Sequence, residues 1–228
     1  MAWAFVQGVS GVTNLQNGTA TPNTATFVTQ NTAAGNTLLM MVSINPQSTT
    51  LSSVTDSQGN TWVILPAITN GSSYNGYLCY ALNTAGGSKP TITLHLSAVN
   101  AGSIWYSLGE YSGISGFRGS STAVTNQFTP PWTSNAVTTV VGDLVVGVIQ
   151  NNVNNTGNPT SSDCTFRASG GNGTVMLNAF ADKTAASASS TVTWSETSGV
   201  TNVIQAHAFA PSAGAASGGQ VGAFEVGP

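Results

Sequence analysis

Val54-Thr55-Asp56-Ser57-Gln58-Gly59-Asn60-Thr61-Trp62 decides the fold class. Val54 ends one β-branched run, and Thr61, Trp62, Val63 and Ile64 begin the next. Between the runs lies Asp-Ser-Gln-Gly-Asn. An Asp side chain can bond its own backbone two residues on, and Gly and Asn tolerate positive φ. The stretch therefore predicts strand, tight turn and strand, closed as a hairpin, with Trp62 anchoring the second strand in a core.

The same pattern recurs outward from it. Strand formers alternate with Gly, Asn, Ser and Pro along the chain, and no window of helical length carries an i, i+3, i+4, i+7 apolar pattern with caps. Ala-rich 179–188 comes nearest and is too short and too rich in Ser and Thr. Residues 2–12 read as a first strand bringing Trp3, Phe5 and Val9 toward a core. Asn36–Ile44 is apolar at nearly every position, which predicts a central strand covered on both faces. Strands are expected at Tyr74–Leu82, Pro90–Leu96 and Ile104–Tyr111, and a long crossover at 112–136.

The second half repeats this order. Gly35-Asn36-Thr37-Leu38-Leu39 corresponds to Gly142-Asp143-Leu144-Val145-Val146 at an offset of 107. Thr91–Leu94 corresponds to Thr191–Trp194 at an offset of 100. The expected fold is all-β: a two-sheet antiparallel β-sandwich, jelly-roll-like or Ig-like, built from two sequence-related halves. One domain spans 1–211, with pseudo-repeats at about 26–113 and 134–211. Residues 212–228 form a Gly/Ala-rich arm, followed by a strand-like run holding Val221, Phe224 and Val226, and we expect a partner to order this arm.

Composition narrows the function. The 228 residues include only 5% charged residues, against roughly 25% in ordinary soluble domains. Net charge is −3, and Lys89, Arg118, Arg167 and Lys183 are the only basic side chains, which excludes a phosphate-neutralising stripe and with it nucleic acid. No segment approaches 18 consecutive apolar residues, so no membrane insertion by a helix is expected. The N-terminal residues lack the basic and long apolar regions of a secretory signal. Yet a surface built from Thr, Asn, Ser and Gly suits an exposed setting. A virion component released by lysis is the expected location, with a secreted or cell-surface protein as the alternative.

Chemistry-bearing residues are sparse. Asp56 with Asn60 is a weak calcium candidate, since only one carboxylate is present. Glu110 and Glu196 fall at non-equivalent places in the repeats, so an acid–base pair is not expected. His95 and His207 lack partners at metal-ligand spacing. Trp62, Trp105 and Trp194 are expected in the core. Trp132, after Pro130-Pro131, is expected to be exposed, and with Tyr74 it is the candidate for glycan or partner contact. Cys79 and Cys164 leave a disulfide open. No cofactor and no catalytic residue is expected.

Gly35–Leu39, Val54–Trp62, Tyr80-Ala81-Leu82-Asn83-Thr84-Ala85-Gly86-Gly87 and Leu108-Gly109-Glu110-Tyr111-Ser112-Gly113 together resemble a β-sandwich module found in bacteriophage structural proteins and large bacterial surface proteins. The resemblance runs from about residue 33 to 211. It implies a non-enzymatic virion structural protein, such as a head-decoration, fibre or tail module, that assembles with other subunits as a homo-oligomer. The alternative it implies is a carbohydrate-binding adhesin module that holds surface glycans.

Overall fold

The computed structural model describes residues 2–14, 24–70, 74–98, 102–125, 130–151, 160–161, 163–171, 176–195 and 202–213. All its named elements are strands, and all their pairings are antiparallel. In the first half, β1 (Ala4–Asn14), β9 (Ser103–Ser112), β3 (Thr37–Ile44), β7 (Tyr74–Ala81) and β5 (Val63–Ile64) form one sheet in that order, and β6 (Ile68–Asn70) also pairs with β7. Facing it is a smaller sheet of β2 (Thr24–Val28), β8 (Thr91–Leu96) and β4 (Leu51–Asp56). First strand pairs with last, second with second-last, third with third-last. That nesting is a long hairpin rolled over two sheets, a jelly roll.

The second half has the same order. Its large sheet runs β10 (Ile114–Ser120), β20 (Asn202–Pro211), β14 (Leu144–Asn151), β17 (Met176–Thr184) and β16 (Thr165–Gly171), with β11 (Val124–Thr125) beside β20. The small sheet is β12 (Trp132–Thr133), β19 (Thr193–Ser195) and β15 (Thr160–Ser161), next to a pair made of β13 (Val137–Thr138) and β18 (Ser189–Ser190). The all-β antiparallel sandwich expected from the sequence is present, and each half carries its own pair of sheets.

The two large sheets pack on each other, so the molecule has four layers and three apolar seams. Side-chain alternation along β3 shows why. Leu38, Met40, Val42 and Ile44 point into the first sandwich; Leu39 and Met41 point into the middle seam. All eight residues of β3 are buried, as the continuous apolar run implied. In β14, Leu144, Val146 and Val148 face the middle seam, and Val145 and Ile149 face the second sandwich. A β-bulge at Val6, where the register of β1 shifts, lets Phe5 reach the middle seam while Val9 faces the first core.

The middle seam is pseudo-symmetric. Ser43 pairs with Gly76 as Gln150 pairs with Asn178, and Leu39 pairs with Tyr80 as Val146 pairs with Asp182. Across the seam, Asn178 Nδ2 donates to Ser43 Oγ at 3.1 Å, while the Gln150 amide fills the space a Cβ on Gly76 would take, 2.1 Å from its Oε1. Tyr111 bonds Asp182, and its register equivalent Phe209 packs on Tyr80 with ring centroids 5.5 Å apart. Residue i of one half meets j of the other, and j meets i. The halves pack as the subunits of a symmetric dimer do.

Two local expectations change. Val54–Ile64 is not a hairpin, because β4 belongs to the small sheet and β5 to the large one; its turn carries the chain between sheets. Residues 112–136 are not a bare crossover. Gly113 (φ 72°) reverses the chain tightly, and β10 follows at once.

Candidate functional site

The opening stretch leads to the site. Asp56 Oδ1 accepts from the backbone N–H of Gln58 and Asn60, and Oδ2 from Asn60 Nδ2 and Trp62 Nε1, all within 3.1 Å. Partial burial pushes the Asp56 carboxyl up, but these donors outweigh it and hold its pKa below the ordinary value. Asn60 Oδ1 accepts from Ala85 N–H at 2.7 Å. The weak calcium candidate therefore fails, since the oxygens of Asp56 and Asn60 are already engaged by donors.

In the second half this corner is cut short. Val54 pairs with Leu94 as Ser161 pairs with Trp194, and Val63 pairs with Tyr80 as Thr165 pairs with Asp182. Asp163 thus stands where Asp56 stands. Six residues, 57–62, lie between Asp56 and Val63; only Cys164 lies between Asp163 and Thr165. Without the Asn and Trp donors, Asp163 takes Lys183 Nζ (2.5 Å) and the Thr193 N–H (3.1 Å) instead.

The missing corner leaves an open cleft of about 430 Å³ at one end of the middle seam. Trp3, Asp163, Cys164, Arg167, Asp182 and Lys183 are among its walls. Arg167 grips Asp182 with both arms of its fork, Nε to Oδ2 at 2.6 Å and Nη2 to Oδ1 at 2.9 Å. Tyr111 donates to the same carboxylate at 2.7 Å, and Phe5 lies under the guanidinium at 4.4 Å. Burial and the Asp182 charge drive the Tyr111 pKa well up. Burial alone would lower Arg167, but Asp182 raises it. Two of the chain's four cations sit here, each matched by an aspartate, so the cleft is close to neutral. The pseudo-symmetric end of the seam is dry instead, closed by Tyr80, Phe117 and Phe209.

The second feature is an edge. β1 is the terminal strand of its sheet and the longest edge strand described, with no charge and no proline over its 11 residues. Edge strands are usually blunted by charge, bulges or brevity. The equivalent β10 follows that rule, with Arg118, paired to Asp143, and two register shifts. β16 carries Arg167 and two shifts, β4 ends in Asp56, and β5 has two residues. β1 alone is long and bare, and Val6 on it is 48% exposed.

The remaining candidates fall into place individually. Trp132 is not exposed: it is fully buried, pairs with Trp194 across β12 and β19, and fills the second core. Trp105 is buried, its ring 5.8 Å from half-buried Tyr74. Glu110 is buried and caps the turn before β3, accepting from Ala33 N–H, Asn36 Nδ2 and Gln7 Nε2. Asp143 caps the matching turn through Val140 N–H at 2.7 Å. His95 Nε2 lies 2.8 Å from Thr55 Oγ1. His207 is buried beside Ser120, and burial takes its pKa down to about 3. Cys79 and Cys164 are not joined; burial pushes the Cys79 thiol up. Among the described residues, no three His, Cys, Asp or Glu side chains cluster as metal ligands, and no helix is long and apolar enough to cross a membrane. Glu196, Val221, Phe224 and Val226 lie outside the described residues.

Compared with protein-family models, with characterised proteins and with solved structures, the chain matches none.

Proposed function

We propose that the protein is a non-enzymatic structural subunit of a virion, a phage head-decoration, fibre or tail module, and that it assembles with other copies through its sheet edges and its arm. The observation that carries this reading is the bare β1 edge. A strand of 11 residues with open backbone groups and no charge is a liability in a monomer and an asset in an assembly. The motif resemblance, the 5% charge content and the paired jelly rolls support it. Jelly rolls serve in capsids and also in lectins, so the fold contributes by analogy only. The carbohydrate-binding reading loses its main support, because Trp132 is sealed in the core.

The test is where the protein resides. Particles from a lysate of the source culture are banded on a density gradient and digested. Peptides of this chain at a fixed ratio to the other particle proteins are expected. Their confinement to the cell-envelope or soluble fraction overturns the virion assignment.

A further inference from the structure

We infer that the β1 edge receives residues 220–226 of a second copy of this chain, so that two copies exchange arms reciprocally and close as a dimer. This rests on the assembly reading above and adds the partner and its register.

Three observations converge. In an antiparallel pair, every second residue of β1 turns its N–H and C=O away from β9, and no described strand meets them. The inner neighbours of β1 are settled: Gly8 packs within 3.2 Å of the Leu108 carbonyl, so the vacancy is on the outer side only. Second, the arm leaves the fold beside this strand. Ser212 N–H bonds the Gly113 carbonyl at 2.7 Å, and a Cβ on Gly113 would lie 2.8 Å from the Ala2 carbonyl. Third, the arm has the right sequence. After the Gly/Ala/Ser spacer come Gln220-Val221-Gly222-Ala223-Phe224-Glu225-Val226, with Phe224 and Val226 at alternate positions. An extended segment adding to a free edge gains affinity from main-chain bonds and specificity from alternate side chains.

Reach decides between a chain's own arm and its neighbour's. Every described pairing is antiparallel, so the arm is placed antiparallel to β1, Val226 near Ala4 and Gln220 near Ser10. For a chain's own arm, Gln220 would lie about 27 Å from the exit at Ala2, eight residues along a strand. Seven residues of chain, 214–220, span at most about 24 Å fully stretched, and a Gly-rich spacer averages nearer 15 Å. The arm cannot overshoot and turn back within that length. A second copy related by a two-fold axis presents the far end of its β1 to the exit, and reciprocal exchange leaves no arm unpaired.

The experiment uses the full chain, with light scattering for mass and hydrogen exchange for the β1 amides. A dimer with β1 amides protected at least tenfold over the arm variant Val221→Asp/Phe224→Asp/Val226→Asp is expected, and that variant is expected to be monomeric. The arm lies outside every described element, so the variant keeps the fold; Val6→Lys on the receiving edge is expected to give the same monomer. As an independent arm of the test, a synthetic 214–228 peptide in excess is expected to convert the wild-type dimer to a monomer with protected β1. If the arm variant remains an oligomer, the arm exchange is overturned and the assembly reading stands. A full-chain monomer whose β1 protection still depends on the arm overturns the second copy, placing the arm on its own chain. A full-chain monomer with unprotected β1 overturns the arm exchange and self-assembly together.

Discussion

Asp56 concentrates four accepted hydrogen bonds on one carboxylate, and its donors all lie within the next six residues. The corner is therefore locally encoded, and its residue types were legible: an Asx turn, a positive-φ Gly59 and a Trp. What was not legible was its direction. The same five turn residues can close a hairpin or pass a chain between sheets, and the choice belongs to β8 and β7, which pair with the two flanking strands. Asp56→Ala is expected to cost about 2 kcal/mol, because it strands the Trp62 N–H and two backbone donors; urea unfolding followed by Trp fluorescence measures it. Asp56→Asn keeps one acceptor and loses the charge. Since the folded carboxyl sits below its ordinary value of 3.8, its contribution is full above that value and disappears as pH falls through the folded pKa. The Asn variant should thus lose less stability than wild type between pH 5 and pH 2, and an equal acid loss in both would remove Asp56 from that role.

At the scale of elements, periodicity served where burial is two-sided and failed where neighbours decide. β3 and β14 were readable because eight consecutive buried positions leave no polar alternation. β10 was hidden: Ile114-Ser115-Gly116-Phe117-Arg118-Gly119-Ser120 looks like loop, since two bulges break its period and its partner β20 lies some ninety residues on. Trp132 was misplaced for the same reason. Pro130-Pro131 signals a loop, and only Trp194, on a strand sixty residues away, makes that loop the wall of a core. Trp132→Ala should behave as a core truncation, costing about 3–5 kcal/mol, read as a drop in the chemical denaturation midpoint. A surface tryptophan would cost under about 0.5 kcal/mol. The small sheet also depends on a glycine. A Cβ on Gly147 would sit 2.3 Å from Val192 Cγ1, so Gly147→Ala must push β14 away from the strand that carries Val192 and should destabilise by about 1–3 kcal/mol.

For the whole molecule, the middle seam decides whether the two jelly rolls unfold together. Leu39, Met41, Leu78, Val146, Val148, Phe180 and Phe209 are all buried there, and separating the halves would expose them at roughly 1.5–3 kcal/mol each. That is more than a single domain's usual margin, so neither half should survive the other's loss. One calorimetric transition is expected, with calorimetric and van't Hoff enthalpies equal. The cleft end is the weak point of this coupling, because the seam there is held by Asp182, Arg167 and Tyr111 rather than by apolar packing. Asp182→Ala leaves a half-buried guanidinium and a buried phenol without their acceptor, and should cost about 3–5 kcal/mol. Tyr111→Phe removes one hydrogen bond and should cost about 1 kcal/mol. Because Tyr111 belongs to the first half and Asp182 to the second, the Ala variant should also pull the van't Hoff enthalpy below the calorimetric one, while the Phe variant keeps them equal. Two transitions in the wild type, or an Asp182→Ala endotherm as sharp as wild type, would show that the shared apolar seam does not bind the halves into one cooperative unit through this triad.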